Sequence, residues 1–284
     1  MKNIVITGAT SGIGLAVCET LLVAGHRVIG IGRSAESCDK AKIYLLSKKN
    51  NADITYFNAD LMQMAEVRKV SSKIIEYIDS NWDGMLDVLI NNAGCVRSRY
   101  CTTKEGYKQQ FALNHLAPFL MTYSLIDSLI KAKGRVIVTS SESHKNMSMR
   151  WDDLMFTRLY KPLMAYKQSK LANMLFILGL NDRFSKKGIR AYCVDPGLVN
   201  TEIGLKQTFG IVSLVWSLRK KKGVTPDVPA KTYHFITSSE THPEGMYIHG
   251  EEKKEYSSYV NRENADRLWR ISENLCGVEF GRLR

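Results

Sequence analysis

The run Thr7-Gly8-Ala9-Thr10-Ser11-Gly12-Ile13-Gly14 follows at once on the apolar triplet Ile4-Val5-Ile6 and opens a helical pattern that extends to about Ala24. A β-branched strand, a glycine-rich turn and an amphipathic helix together make the first half of a βαβ unit. The glycines are spaced G-x-x-x-G-x-G. Gly8 serves a tight turn, Gly12 lets backbone approach a pyrophosphate, and Gly14 lets the helix pack close to the strand. The helix start then presents free N–H groups and a positive dipole end to phosphate. Gly8, Thr10, Ser11, Gly12, Ile13 and Gly14 are therefore read as a dinucleotide-binding turn, against the plain alternative of a strand-to-helix connection.

Further along, short apolar runs alternate with longer amphipathic ones. Strands are expected at Arg27–Ile31, Ile54–Phe57, Leu86–Ile90, Arg135–Thr139, Ile189–Val194 and Met246–Ile248. Helical patterns lie near 12–24, 35–47, 63–79, 104–131, 165–186 and 260–275. This alternation predicts a parallel sheet covered by helices on both faces, because doubly buried strands read as continuous apolar runs.

The chain has 284 residues, 44% of them hydrophobic, and no repeat, Pro-rich linker or low-complexity tract divides it. One α/β domain over 1–284 is the expectation. The net charge is +12, but the basic residues are scattered apart from Lys48-Lys49 and Arg219–Lys222, and neither cluster is interleaved with aromatics. The charge is therefore weak evidence about partners, and the dispersed basic residues without a recognised binding motif argue against nucleic acid. Six dispersed cysteines without a C-x-x-C pair fit reduced thiols rather than a disulfide frame or a metal site. With no signal-peptide pattern at the start and no apolar run of about 20 residues, a soluble cytoplasmic chain is expected.

The second strand ends in Gly32-Arg33-Ser34, where an NAD-binding site usually places a carboxylate for the ribose 2′-hydroxyl. An arginine there can instead pair with the 2′-phosphate of NADP; the bland reading is a solvated loop arginine. Tyr166 and Lys170 stand four apart on a helical segment and so share one face. A phenol with pKa near 10 becomes a useful acid/base when a nearby cation favours its anion. Taken alone, such a pair is more often two surface residues.

In combination, T-G-x-x-x-G-x-G at 7–14, Asn91-Asn92-Ala93-Gly94, Y-x-x-x-K at 166–170 and Pro196-Gly197 resemble the short-chain dehydrogenase/reductase family along nearly the whole chain. The resemblance implies a doubly wound Rossmann-type domain, seven-stranded and parallel, binding a nicotinamide cofactor. It also implies a catalytic set of Asn114, Ser141, Tyr166 and Lys170. Ser141 would hydrogen-bond the substrate oxygen, with Ser140 as the competing serine. Tyr166 would pass the proton, Lys170 would favour the phenolate and bind the nicotinamide ribose, and Asn114 would hold a water linking Lys170 to solvent. Asp60 and Leu61 match the adenine-contacting segment, Asn91, Ala93 and Gly94 the adenine-ribose side, and Pro196, Gly197 and Thr201 the segment around the nicotinamide amide.

Within the family, Asn114-His115-Leu116, Ser140-Ser141 with His144, Ser169–Asn173 and the Ala265–Trp269 tail are similar to the retinol dehydrogenase group. His144 reads either as an extra acid/base or as a structural histidine. The 25-residue spacing from Ser141 to Tyr166 implies an insertion at about 145–162 bordering the substrate site. Met149, Trp151, Leu198, Val199, Phe209 and Trp216 are candidate pocket residues for a lipophilic carbonyl or alcohol, or else core positions. Phe209–Trp216 beside Arg219–Lys222 also admits peripheral contact with an anionic membrane. The expected function is an NADP(H)-dependent oxidoreductase; a nucleotide sensor without turnover is the alternative, and a homo-oligomer is compatible with either.

Overall fold

β1 (Asn3–Thr7) forms the middle of the sheet, and its Ile4, Val5 and Ile6 are wholly buried, as a strand covered on both faces must be. The computed structural model describes residues 1–200 and 223–282. Around β1 lie β2 (Arg27–Gly32), β3 (Ile54–Asn58), β4 (Val88–Asn91), β5 (Arg135–Thr139), β6 (Arg190–Val194), β7 (Tyr247–His249) and β8 (Glu252–Lys253), in the order β3-β2-β1-β4-β5-β6-β7-β8. The first seven are parallel.

The eighth strand corrects the expected count of seven. β8 runs antiparallel to β7, with Ile248 opposite Lys253 and His249 opposite Glu252. It is a two-residue, exposed Glu-Lys edge. No apolar alternation announces it, and a charged short edge is how sheets avoid edge-to-edge association.

The helices divide between the two faces. α1 (Gly12–Val23) and α2 (Ala35–Lys48) cover one face together with α8 (Asp227–Ser238), around Val17, Leu21, Leu45, Tyr233 and Ile236. α3 (Met64–Asn81), α5 (Ala117–Ser124), α7 (Pro162–Phe184) and α9 (Arg262–Cys276) cover the other, around Ile74, Phe119, Phe176 and Trp269. α3 buries Val67, Val70, Ser71, Ile74 and Ile78, the stripe expected of an amphipathic helix. Buried Arg135 donates to the carbonyls of Ile236, Thr237 and Ser239, placing a cation at the C-terminal end of α8.

The helical pattern read over 104–131 is broken in the structure. Residues 102–108 form a turn closed by an antiparallel bridge between Thr102 and Lys108. The helix then starts as α4 (Gln109–Phe111), widens into a π-turn at Ala112–Leu116, and resumes as α5 and α6 (Ile126–Ala132). Pro118 in the first turn of α5 lacks an N–H, so the regular hydrogen-bond ladder cannot run through it from the preceding turn. π-turns are frequent where a side chain must be re-aimed at a functional site. This one carries Asn114 and His115.

Strand order reverses on either side of β1, so the crevice beyond the carboxyl ends of β1 and β4 is the topological switch point. Gly14 packs so tightly there that an added Cβ would stand 2.1 Å from the Gly8 carbonyl oxygen and 2.6 Å from Asn92 Nδ2. Among the described residues, no helix is long and apolar enough to cross a membrane.

Candidate active site

Gly8 turns the chain at φ +67, a conformation that side chains resist, and Gly12 follows at φ +56. Thr7, at the end of β1, uses its hydroxyl oxygen to accept from the backbone N–H groups of both Asn92 and Ala93, each at 3.0 Å. The Asn92 amide donates back to the Thr7 carbonyl at 3.2 Å. The two loops at the switch point are thereby tied together. Ser11 stands at the N-cap of α1 in extended conformation and makes no side-chain cap. The first turn of α1 therefore keeps uncapped N–H donors and a positive dipole end, which suit a phosphate.

At the carboxyl end of β2, Arg33 is exposed, and no carboxylate lies in Gly32-Arg33-Ser34. The next acidic residue along the chain, Glu36 in α2, pairs with Lys40 at 2.6 Å. Ser34 caps α2 through Ser37. Asp60 is half-buried, its carboxylate accepting from Met62 N–H at 3.2 Å, and Leu61 is buried. Asn91 is buried and donates to Thr122 at 3.3 Å, so its side chain faces α5 rather than the crevice. Ala93 and Gly94 are half-buried at the crevice.

β5 and α7 bring the chemistry-bearing residues together. Lys170 is buried; its Nζ donates to the Thr139 carbonyl at 2.8 Å and lies 5.5 Å from the centroid of the Tyr166 ring. The four-residue spacing on α7 thus sets both groups on one face, with Tyr166 only half-buried. Burial lowers the lysine to about 8, opposed by the nearby Cys193, Cys95 and Asp195. A cation beside a phenol favours the phenolate, which is the setting an acid/base tyrosine requires.

The two serines after β5 separate cleanly. Ser140 is buried and donates to the Lys170 carbonyl at 3.2 Å, which commits it to holding α7. Ser141 is half-exposed, at the head of the short turn Glu142–His144, where its oxygen accepts from Ser143 N–H at 3.3 Å. His144 is wholly buried behind it, with Nδ1 2.8 Å from the Ser141 carbonyl and its ring edge-on to Tyr247. Burial lowers its pKa, and it faces no open space.

Asn114 has both ends of its amide engaged. Its Oδ1 accepts from Cys95 N–H at 2.8 Å, and its Nδ2 donates to the Cys95 carbonyl and to Ser169 Oγ at 3.0 and 2.9 Å. Ser169 in turn donates to the Tyr166 carbonyl at 2.7 Å. Asn114 therefore bolts the β4 loop onto the turn of α7 that carries Tyr166 and Lys170. An added Cβ on Gly94 would stand 3.4 Å from Asn114 Oδ1 and 3.8 Å from Lys170 Nζ, so the strand-end loop lies against both.

After β6, Asp195 accepts from Gly197 N–H at 3.0 Å and from the Tyr247 hydroxyl at 2.8 Å, shaping the turn that carries Pro196 and Gly197. Thr201, Phe209, Trp216 and the basic run Arg219–Lys222 lie outside the described residues. Of the pocket candidates, Met149 is buried in the core, Trp151 is half-buried beneath Arg267, and Leu198 is exposed. The segment between the Ser141 turn and α7 is pinned by Gln168, which accepts from Arg150 N–H and donates to the Leu154 carbonyl, both at 2.9 Å.

One residue escaped the sequence reading altogether. Lys108 is 1% exposed, with Nζ 4.1 Å from the Tyr160 ring and 4.9 Å from Tyr100. It donates to the Arg99 carbonyl at 2.9 Å. Burial lowers it to about 8. A lysine in a polar stretch carries no sequence signal for such burial.

A short chain dehydrogenase family model matches residues 2–208, which is most of the chain. The chain belongs to the short-chain dehydrogenase family. It is 33% identical to human retinol dehydrogenase 13, covering all of this chain and 87% of that protein. It is 31% identical to human polyprenol dehydrogenase, covering 96% and 84%. Among solved structures, an uncharacterized protein from Mycobacterium paratuberculosis superposes with TM-score 0.76 at 26% identity, over 99% of this chain and 95% of the other. The carbonyl reductase from chicken fatty liver, solved with NADPH bound, shares the fold at TM-score 0.65 and 22% identity, over 88% and 97%. The chain is thus an oxidoreductase-family member of retinol dehydrogenase-like type.

Proposed function

We propose that this chain, as one nucleotide-binding domain over 1–284, is an NADP(H)-dependent oxidoreductase that interconverts a lipophilic alcohol with its aldehyde or ketone. The observation that carries the reading is Lys170, buried beside Tyr166 at the carboxyl end of β5. Burying an ammonium is costly, and the chain does so next to the one phenol that the family pattern selects.

The residues fit a nicotinamide dinucleotide. The uncapped start of α1 would take the pyrophosphate, with Gly8 and Gly12 supplying the close backbone and Thr10, Ser11 and Ile13 the walls. Asp60, Leu61, Asn91, Ala93 and Gly94 border the adenosine end, Asn91 through its backbone. Pro196, Gly197 and Thr201 belong to the nicotinamide end. Arg33 favours a 2′-phosphate, because the next carboxylate along the chain, Glu36, is paired with Lys40 and none stands in the turn itself. When bound, the nicotinamide supplies or accepts the hydride.

The chain's own groups handle the oxygen. Ser141 hydrogen-bonds the substrate oxygen, while Ser140 is spent on α7. Tyr166 donates its hydroxyl proton to that oxygen in reduction and takes it back in oxidation. Lys170 favours the phenolate and holds the ribose. Asn114 fixes the geometry between the β4 loop and α7. A lipophilic substrate is favoured by exposed apolar side chains on three flanking segments: Tyr100, then Leu159 with Leu163 and Met164, and Leu198. The relatives' names, retinol and polyprenol dehydrogenase, point to the same class of alcohol.

The test follows absorbance at 340 nm with NADPH and with NADH against retinals, polyprenals, steroids and simple aldehydes, with Tyr166→Phe protein as the blank. Turnover with NADPH that vanishes in the variant is the expected result. Wild-type protein that binds neither cofactor would sink the reading.

A further inference from the structure

His115, beside Asn114 in the π-turn, is 0% exposed and is enclosed by aromatic rings, with Phe111, Phe119 and Phe176 at centroid distances of 5.0, 6.2 and 6.2 Å. An imidazole serving only as packing needs no polar partners, yet this one has them. Its Nε2 lies 2.8 Å from the hydroxyl of Ser272 on α9. Its Nδ1 is buried and out of hydrogen-bond geometry, and so is Oδ1 of Asn173 on α7. The Asn173 side chain is the group that favours a proton on the ring, against the burial that dominates and lowers His115 to about 3. Such a ring is neutral at physiological pH, so it has one donor and one acceptor. A donor at Nδ1 would supply the partner that Asn173 Oδ1 lacks, which leaves Nε2 to accept from Ser272.

The other end of the Asn173 amide reaches the catalytic lysine's own acceptor. Asn173 Nδ2 donates to the Thr139 carbonyl at 3.3 Å, the same oxygen that receives Lys170 Nζ at 2.8 Å. This orientation of the amide is fixed at the Thr139 end, where the flipped amide would set two oxygens together; with Oδ1 thus turned the other way, it needs a donor.

We propose that His115 is a positioning residue for Lys170, holding Asn173 through Nδ1–H so that Asn173 shares the Thr139 carbonyl with the lysine, with Ser272 fixing the tautomer from α9. The inference rests on the role given to Lys170 under the proposed function. It makes the last long helix, remote from the cofactor turn, part of the active-site frame. It also gives a chemical reason for a histidine where phenylalanines pack on three sides.

The sign of the effect follows from the shared carbonyl. While Asn173 donates to Thr139, that oxygen has less to offer an ammonium, and the positive end of the amide lies close to Lys170. Releasing Asn173 should therefore raise the lysine's titration. The other groups that bear on Lys170 are Tyr166 on α7, Cys95 after β4, and Cys193 and Asp195 on and after β6; they are unchanged in the variants below. Charged groups do not enter the setting of His115, which burial and Asn173 determine.

The experiment uses the full chain without cofactor and reads Lys170 directly. Brief pulses of acetic anhydride from about pH 6 to 10, followed by peptide mass spectrometry, give the midpoint of its acylation. The wild-type midpoint should fall near 8. His115→Phe fills the space but cuts the relay, and His115→Gln keeps the Ser272 side alone; both should raise the midpoint by about half a unit or more. His115→Asn places an amide nitrogen where Nδ1 stands and should return the midpoint to near the wild-type value. Imidazole ¹⁵N shifts should show a neutral ring protonated at Nδ1. An unmoved midpoint in His115→Phe, or in His115→Gln if the phenylalanine variant does not fold, would overturn the relay. So would an Nε2-protonated ring, or an asparagine variant shifted as far as the phenylalanine one. Absent wild-type turnover with the expected titrations would instead mark a failure of the enzyme reading, so the two failures are distinguishable.

Discussion

Lys170 holds its ammonium 5.5 Å from the centre of the Tyr166 ring while its proton is shared with the Thr139 carbonyl at 2.8 Å. Position and charge are thus set by different elements: α7 supplies the spacing, and β5 supplies the acceptor that keeps the lysine from wandering. Removing the phenolic oxygen leaves that frame intact, since Tyr166 is only half-buried. Tyr166→Phe should lower kcat by about 10²–10⁴-fold, the usual worth of a positioned acid/base. NADPH affinity, measured by fluorescence titration, should stay within a few fold of wild type.

Burial of Lys170 has a consequence for stability. Its folded-state pKa, about 8, lies below the ordinary 10.5. Between those values the unfolded chain binds more protons than the folded one, so stability should rise with pH from about 8 to 10.5. Below that window both states are protonated, and the folded state bears the full cost of a buried ammonium. Lys170→Met should therefore be more stable than wild type at pH 7, on the order of 2–3 kcal/mol, and flatter across the window. Lys108, also lowered to about 8, keeps a residual slope of the same sign in the variant. Urea melts at pH 7 and 10 read both effects; a variant no more stable at pH 7 would contradict the account.

Much of this arrangement was legible in the sequence because its parts are local. The glycine turn, the i, i+4 pair on α7 and the doubly buried strands each follow from spacing within one element. What was not legible depends on contacts between elements. β8 is two charged residues paired across a turn, and the helical pattern read from 104 gives way at its start to the turn closed by the Thr102–Lys108 bridge. The different settings of Ser140 and Ser141 depend on which hydroxyl α7 covers, and the partnership of His115 with Ser272 spans 157 positions. No pattern in the chain encodes that distance.

The two serines should respond oppositely. Ser141→Ala removes a half-exposed hydroxyl whose local partner is the Ser143 N–H, and should lower kcat by about 10²-fold or more with little change in Tm. Ser140→Ala leaves the hydrogen bond to the Lys170 carbonyl unmade in a buried site, costing about 1–2 kcal/mol of stability with a smaller effect on kcat. Thermal melts and turnover of both variants side by side decide it. The reverse pattern would assign the substrate contact to Ser140.

Arg33 is exposed and free of a carboxylate neighbour in its own turn, so its charge is open to a 2′-phosphate. A charge-assisted contact of that kind is worth roughly 10- to 100-fold in affinity. Arg33→Ala should weaken NADPH by about that factor and leave NADH nearly unchanged, as isothermal titration with each cofactor would show. Equal losses for both would mean that Arg33 serves the turn rather than the phosphate.

Lys108 joins the loop after β4 to the segment before α7 without any acidic partner among the described residues. Its ammonium lies against the rings of Tyr160 and Tyr100 and donates to the Arg99 carbonyl, while the Tyr160 hydroxyl donates to the Arg97 carbonyl at 2.6 Å. Methionine in its place keeps contact with the rings but leaves the Arg99 carbonyl without that donor. Lys108→Met should cost about 1–3 kcal/mol of stability and speed amide exchange over 99–103. Because these segments flank Tyr166 without touching Lys170's acceptor, the kinetic effect should fall on KM more than on kcat. A change confined to kcat would instead connect Lys108 to the proton-transfer groups.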